Sequence, residues 1–180
     1  DEMSIAEQIT QNYASIQEEA TKATAKEKAE LGLLLNIAKD KNLSDEDRIE
    51  AIERLNQLSP EFLGNLTLEN IATEDGVKAI NNYIAALDKK ALAQAIAAKK
   101  EKLFEQMLTI EGSTISDNIS FIEEAGAKLS NLPWDRKGQI GDIIDIGEAN
   151  RTKSLKGIKG QIDALDKLTT AKILAGEINV

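Results

Sequence analysis

Asp40-x-Asn42-x-Ser44 is the nearest this chain comes to a metal-binding loop, with oxygen-bearing side chains at alternate positions as in the first half of an EF-hand. The sixth position of such a loop wants glycine for its sharp turn, and the twelfth wants a bidentate glutamate. Here they hold Asp45 and Ala51. Helix capping accounts for these residues better. Asp142, Asp145 and Glu148 put three carboxylates on one helical face. Paired carboxylates do acid–base work only in a cleft that shifts their pKa values, and with no histidine or aromatic platform beside them they read as an exposed face. Gly157-x-x-Gly160 lacks the Gly-Lys-Ser/Thr ending of a phosphate loop and sits inside a helical pattern. Asn65-Leu66-Thr67 fits a glycosylation sequon in form only. Trp134, the single tryptophan, suits a partner hot spot less well than an anchor for the turn around it.

The chain has neither cysteine nor histidine. Disulfides, thiolate and imidazole catalysis, and zinc sites built from those ligands are therefore excluded within it. No catalytic, cofactor-binding or metal residue is assigned, and the expectation is a protein that is not an enzyme. Acidic residues outnumber basic ones 31 to 22. Such a surface repels phosphate backbones and acidic membranes, so nucleic acid is not an expected partner. One stretch runs the other way: Arg151, Lys153, Lys156, Lys159, Lys167 and Lys172 meet only Asp163 and Asp166. It reads as a solvated helix face or as the match to an acidic neighbour. No apolar run reaches the length needed to span a membrane.

The elements that would position these residues are helical throughout. Ala, Leu and Ile supply most of the apolar content, and only two prolines interrupt it. In residues 1–43, expected to hold the first long helix, Ile9, Tyr13, Ile16, Ala20 and Ala23 step by 4, 3, 4 and 3. Glu27 interrupts that heptad-like seam, and Leu31, Leu34 and Ala38 resume it, with Leu33, Leu35 and Ile37 broadening the face. Residues 44–73 read as short helices and a packed corner. Ser44 caps a helix whose first turn carries Asp45, Glu46 and Asp47 and whose face carries Ile49, Ile52 and Leu55. Ser59-Pro60 starts the next turn, Gly64 stops it, and Thr67 and Thr73 are further caps.

Residues 74–130 should form a long helix on a seam of Val77, Ile80, Ile84, Leu87 and Ala91, weakened or kinked near Gly112 and continued by Ile115, Ile119, Ile122, Gly126 and Leu129. Residues 131–180 hold a turn at Asn131-Leu132-Pro133-Trp134 and a final helix on Leu155, Ile158, Ile162, Leu165 and Thr169. The expected fold is all-α: elongated, antiparallel long helices in a coiled-coil-like hairpin with a short helical corner. The chain opens Asp1-Glu2-Met3 with no methionine at position 1, which reads as one structural unit excised from a longer protein.

Residues 45–110 carry a resemblance. Ser59-Pro60-Glu61-Phe62-Leu63-Gly64-Asn65-Leu66-Thr67-Leu68-Glu69-Asn70-Ile71, followed by Val77, Ala79-Ile80-Asn81-Asn82-Tyr83, Ala86-Leu87, Lys90-Ala91 and Gln94-Ala95, resembles a segment of phage tail tape measure proteins of Bacteroidetes phages and prophages. Proteins of that family are long and largely helical, lie inside the tail tube, and set tail length during assembly. The resemblance implies a structural component of the virion tail, assembled in the bacterial cytoplasm, with tail tube and tail assembly proteins as partners and self-association along its seams. Some members carry peptidoglycan-cleaving domains, for which this chain shows no motif. The alternative from another class is a helical protein-binding or adaptor module of a bacterial protein.

Overall fold

A computed structural model describes residues 5–129 and 137–178, with side chains described at Glu7, at Thr10 to Gly112 and at 149–178. Every regular element among them is a helix: α1 Ile5–Lys39, α2 Asp45–Leu58, α3 Pro60–Leu63, α4 Glu74–Leu129 and α5 Lys137–Leu174. The all-α expectation holds, and α1 and α4 pack on each other as the arms of a helical hairpin. The turn expected at Asn131 to Trp134 lies outside the described residues. By its contacts the chain divides into two compact units, residues 1–12 with 96–171 and residues 13–95 with 172–180.

The second unit contains the main core. Leu31, Leu34 and Ala38 of α1, Ala51, Ile52 and Leu55 of α2, Leu63, Leu66 and Ile71 of the corner, and Ile80 and Tyr83 of α4 form one buried cluster. Leu31, Leu55, Leu63 and Ile71 are each at most 2% exposed. Full burial of such side chains stabilises by about 1.5–3 kcal/mol apiece, against roughly 0.8 kcal/mol for the single methyl of Ala38 or Ala51. The leucine and isoleucine positions of the cluster therefore contribute more per residue than its alanine positions. Phe62 and Leu68 are half-buried at the cluster's edge, and the Phe62 ring meets Tyr83 with centroids 6.1 Å apart.

The seam of α1 departs from its expected register. Between Ala20 and Leu31 burial passes through Thr24 and half-buried Lys28, while Ala23 and Glu27 are exposed. Thr24 can be buried because its hydroxyl donates to the carbonyls of Ala20 and Thr21, both at 3.3 Å. Lys28 lays its stem along the seam and pairs with Asp88 of α4 at 2.5 Å. Leu33 and Val77, expected on apolar faces, are 62% and 40% exposed. Ile49 is likewise exposed at 43%, and the buried face of α2 is Ala51, Ile52 and Leu55.

In the first unit, α4 and α5 run antiparallel. Lys100 pairs with Asp166 at 2.5 Å, and about two turns further out Ile158 faces the 102–110 stretch of α4. Ile96 and Leu103 are buried on α4, and Ile158, Ile162 and Leu165 on α5 follow the expected seam, flanked by half-buried Leu155 and Thr169. Asn12 of α1 donates to the Gln161 side chain at 3.0 Å. The α4 backbone passes through Gly112 as unbroken helix. One glycine costs only about 1 kcal/mol relative to alanine, which a helix of this length absorbs. The side chains of Ile115, Ile119, Ile122 and Leu129 lie outside the described residues.

Candidate functional site

The calcium-like oxygens are consumed by backbone. Asp40 Oδ1 accepts from the Asn42 backbone N–H at 2.9 Å and from its side-chain amide at 3.0 Å. Ser44 Oγ accepts from the Asp47 N–H at 3.2 Å and donates to Asp47 Oδ2 at 2.6 Å. Arg48 Nε closes the link by donating to the Ala38 carbonyl at 3.1 Å. These residues turn the chain from α1 into α2, and no grouping of metal-ligating side chains occurs among the described residues. Asp142, Asp145 and Glu148 fall on the backbone of α5, with their side chains outside the described residues, as is Trp134. Gly157 and Gly160 are interior to α5 with open space around them. Within the would-be sequon, Leu66 is buried and the Thr67 hydroxyl is engaged in the corner. No helix among the described residues is long and apolar enough to cross a membrane.

The best-defined local construction is the corner itself. Thr67 and Asn70 exchange bonds: the Thr67 N–H donates to Asn70 Oδ1 at 2.8 Å, and the Asn70 N–H donates to Thr67 Oγ1 at 3.3 Å. This is the reciprocal logic of a capping box, with asparagine in place of glutamate. Asn70 also donates its amide to the Asn65 carbonyl at 2.8 Å, so one side chain ties together both sides of the turn. In the orientation that satisfies both atoms of its amide, Asn56 on α2 donates its side-chain N–H to the carbonyls of Leu63 at 2.5 Å and Ile52 at 3.3 Å. Thr73 then caps α4, its Oγ1 donating to the Asn70 carbonyl at 2.7 Å while its N–H donates there at 2.9 Å.

Glycine is required where this cap meets the helix. A Cβ on Gly76 would stand 2.2 Å from the Asn70 carbonyl oxygen and 3.0 Å from the Ile71 Cα. Gly64, which ends α3 as expected, has a similar constraint against the Pro60 carbonyl at 2.3 Å. Sequence reasoning found the caps but missed the bridging role of Asn70 and the close approach at Gly76. Thr67-x-x-Asn70 at capping-box spacing, and a glycine at the third helical position after Thr73-Glu74-Asp75, were the available signals.

At its C-terminus α5 closes with Gly176 at φ 70°. The Gly176 N–H bonds to the Ile173 carbonyl and the Glu177 N–H to the Lys172 carbonyl, both at 2.9 Å, the pairing of a Schellman cap. Lys172 pairs with Glu177 and lies 5.3 Å over the Tyr13 ring, so this member of the basic stretch is already engaged. Lys156, Lys159 and Lys167 are exposed. Open clefts flank the helices: one of about 430 Å³ is lined by Ile49, Ile52, Glu53, Leu66, Leu68 and Glu69, and one of about 440 Å³ by α4 residues 102–110 and Ile158.

Tyr83 is the perturbed titrating group of the core. Burial, and secondarily the carboxylates of Glu27 and Glu30, push its phenol above the ordinary value. What the arrangement does chemically is hold a sharp helical corner rigid and present charged, partly apolar helix faces to solvent. Comparison with family models, with curated proteins and with solved structures finds no match to this chain.

Proposed function

We propose that this chain is a structural segment of a phage tail tape measure protein, a component of the virion tail that contributes length and not catalysis. The support is the resemblance over residues 45–110 and the place its residues take in the fold. Leu63, Leu66, Ile71, Ile80 and Tyr83 belong to the buried cluster, Asn70 bridges the corner, and Gly64 occupies a close approach. The wording that resembles the family thus falls on packing and turn-forming positions, where a shared architecture would constrain it. That coincidence carries the reading.

The test is to detect this sequence in purified virions by mass spectrometry and to delete 28 residues, four heptads, in frame within 76–110 of the intact protein. An extended single helix rises about 1.5 Å per residue, so tails should shorten by about 42 Å on electron micrographs. A hairpin retained in the tail shares its span between two arms and gives a smaller shortening. Tails of unchanged length with normal infectivity overturn the ruler role. Absence of the sequence from virions overturns the tail assignment and favours the adaptor reading.

A further inference from the structure

Charge on this chain is segregated. Residues 44–75 contain nine carboxylates against Arg48 and Arg54. Both arginines are occupied within α2, Arg48 with Asp45 at 3.0 Å and Arg54 with Glu50 at 2.9 Å. Glu46, Ile49 and Glu53 sit at i, i+3 and i+7 on one exposed face of α2. Beside it lies the open cleft floored by Ile52, Leu66 and Leu68 and rimmed by Glu53 and Glu69. On α5, Lys156, Lys159 and Lys167 share a face at i, i+3 and i+11, all exposed, with Asp163 among them and Asp166 at the edge of the face, paired with Lys100 at 2.5 Å.

We infer that these two surfaces bind each other between copies of the chain, the lysine face of α5 on one copy lying over the acidic α2–corner cleft of the next. Lysine suits such a site because its four-carbon stem covers apolar surface while the ammonium reaches carboxylates at the rim. The stems would cover Ile49 and Leu68, and the ammonium groups would meet Glu46, Glu53 and Glu69. The two patches are different surfaces, so the pairing either closes reciprocally in a two-fold dimer, with both contacts made twice, or leaves one acidic cleft and one lysine face open on each complex and continues head to tail. Exposed charges separated by more than about 8–10 Å are screened at physiological salt, so the association depends steeply on ionic strength. This inference stands apart from the proposed tail role and is tested without virions.

Sedimentation velocity on the 180-residue chain, over two decades of concentration at low and at high salt, reads it directly. The expected result at low salt is a mass that climbs with concentration from the 19.6 kDa monomer, and at high salt a return to monomer. Two triple variants, Lys156→Glu with Lys159→Glu and Lys167→Glu, and Glu46→Lys with Glu53→Lys and Glu69→Lys, change exposed side chains only. Each alone should associate at least about tenfold more weakly, and mixing the two should restore association. Far-UV circular dichroism matching the parent establishes that each variant is folded. A chain that stays monomeric at low salt throughout, or one whose association survives both charge reversals, overturns the inference.

Discussion

Replacing Gly76 with alanine reverses the usual effect of that substitution. In an open helix interior, Gly→Ala stabilises by about 0.5–1 kcal/mol through helix propensity. At Gly76 the added carbon would lie 2.2 Å from the Asn70 carbonyl oxygen, well inside contact distance. That oxygen cannot give way freely, because it accepts from the Thr73 N–H at 2.9 Å and the Thr73 hydroxyl at 2.7 Å. The Asn70 side chain is itself fixed by Thr67 and Asn65. Displacing the carbonyl forfeits two hydrogen bonds at about 0.5–1.5 kcal/mol each and adds overpacking strain of about 1–3 kcal/mol. Set against the propensity gain these leave a net loss of about 1–5 kcal/mol, and because displacing the carbonyl itself relieves part of the strain, the lower part of that range, about 2 kcal/mol, is expected. In a chain of this size each kcal/mol moves Tm by roughly 2–4 °C, so Gly76→Ala should melt about 4–8 °C below the parent. Gly157→Ala and Gly160→Ala, whose added methyls meet nothing within 4 Å, should instead match or exceed the parent. Thermal and urea unfolding followed by far-UV circular dichroism distinguishes the two classes. A Gly76→Ala chain as stable as the Gly157 and Gly160 variants would refute the account of the cap.

Leu66→Asp places an unpaired carboxylate at a site 3% exposed, and should cost about 3–5 kcal/mol against roughly 2–3 kcal/mol for Leu66→Ala. An aspartate variant melting with the parent would show the corner to be solvated. Tyr83 has its pKa raised by burial, so its neutral form is favoured in the folded chain. Its contribution is complete below the unfolded value near 10 and is lost as pH rises from there through the folded value. Urea midpoints measured upward from about pH 9 should therefore fall more steeply for the parent than for Tyr83→Phe. Equal slopes would place the phenol in solvent. Asn70→Ala removes the two side-chain bonds that tie the corner and should cost about 1–3 kcal/mol, with unchanged stability showing the bridge to be redundant.

Composition and spacing alone determined that the chain is helical, and the capping residues placed most boundaries. Ser44, Pro60, Gly64 and Thr73 each start or stop a helix where expected, because caps satisfy local backbone groups and need no distant partner. The seam of α5 was equally legible, since Ile158, Ile162 and Leu165 are its main apolar residues over those turns. The first seam was not. A strict heptad drifts by about 20° per repeat against a straight helix, so the step from Ala20 could continue to Ala23 or to Thr24. Tertiary packing chose Thr24 and Lys28, for Thr24 satisfies its hydroxyl within its own helix and Lys28 finds Asp88 across the hairpin. The same holds for Gly76, whose place at the third helical position is visible in the sequence but whose necessity is not. Only the return of the corner brings the Asn70 carbonyl to within 2.2 Å of where its side chain would begin, and so makes glycine necessary.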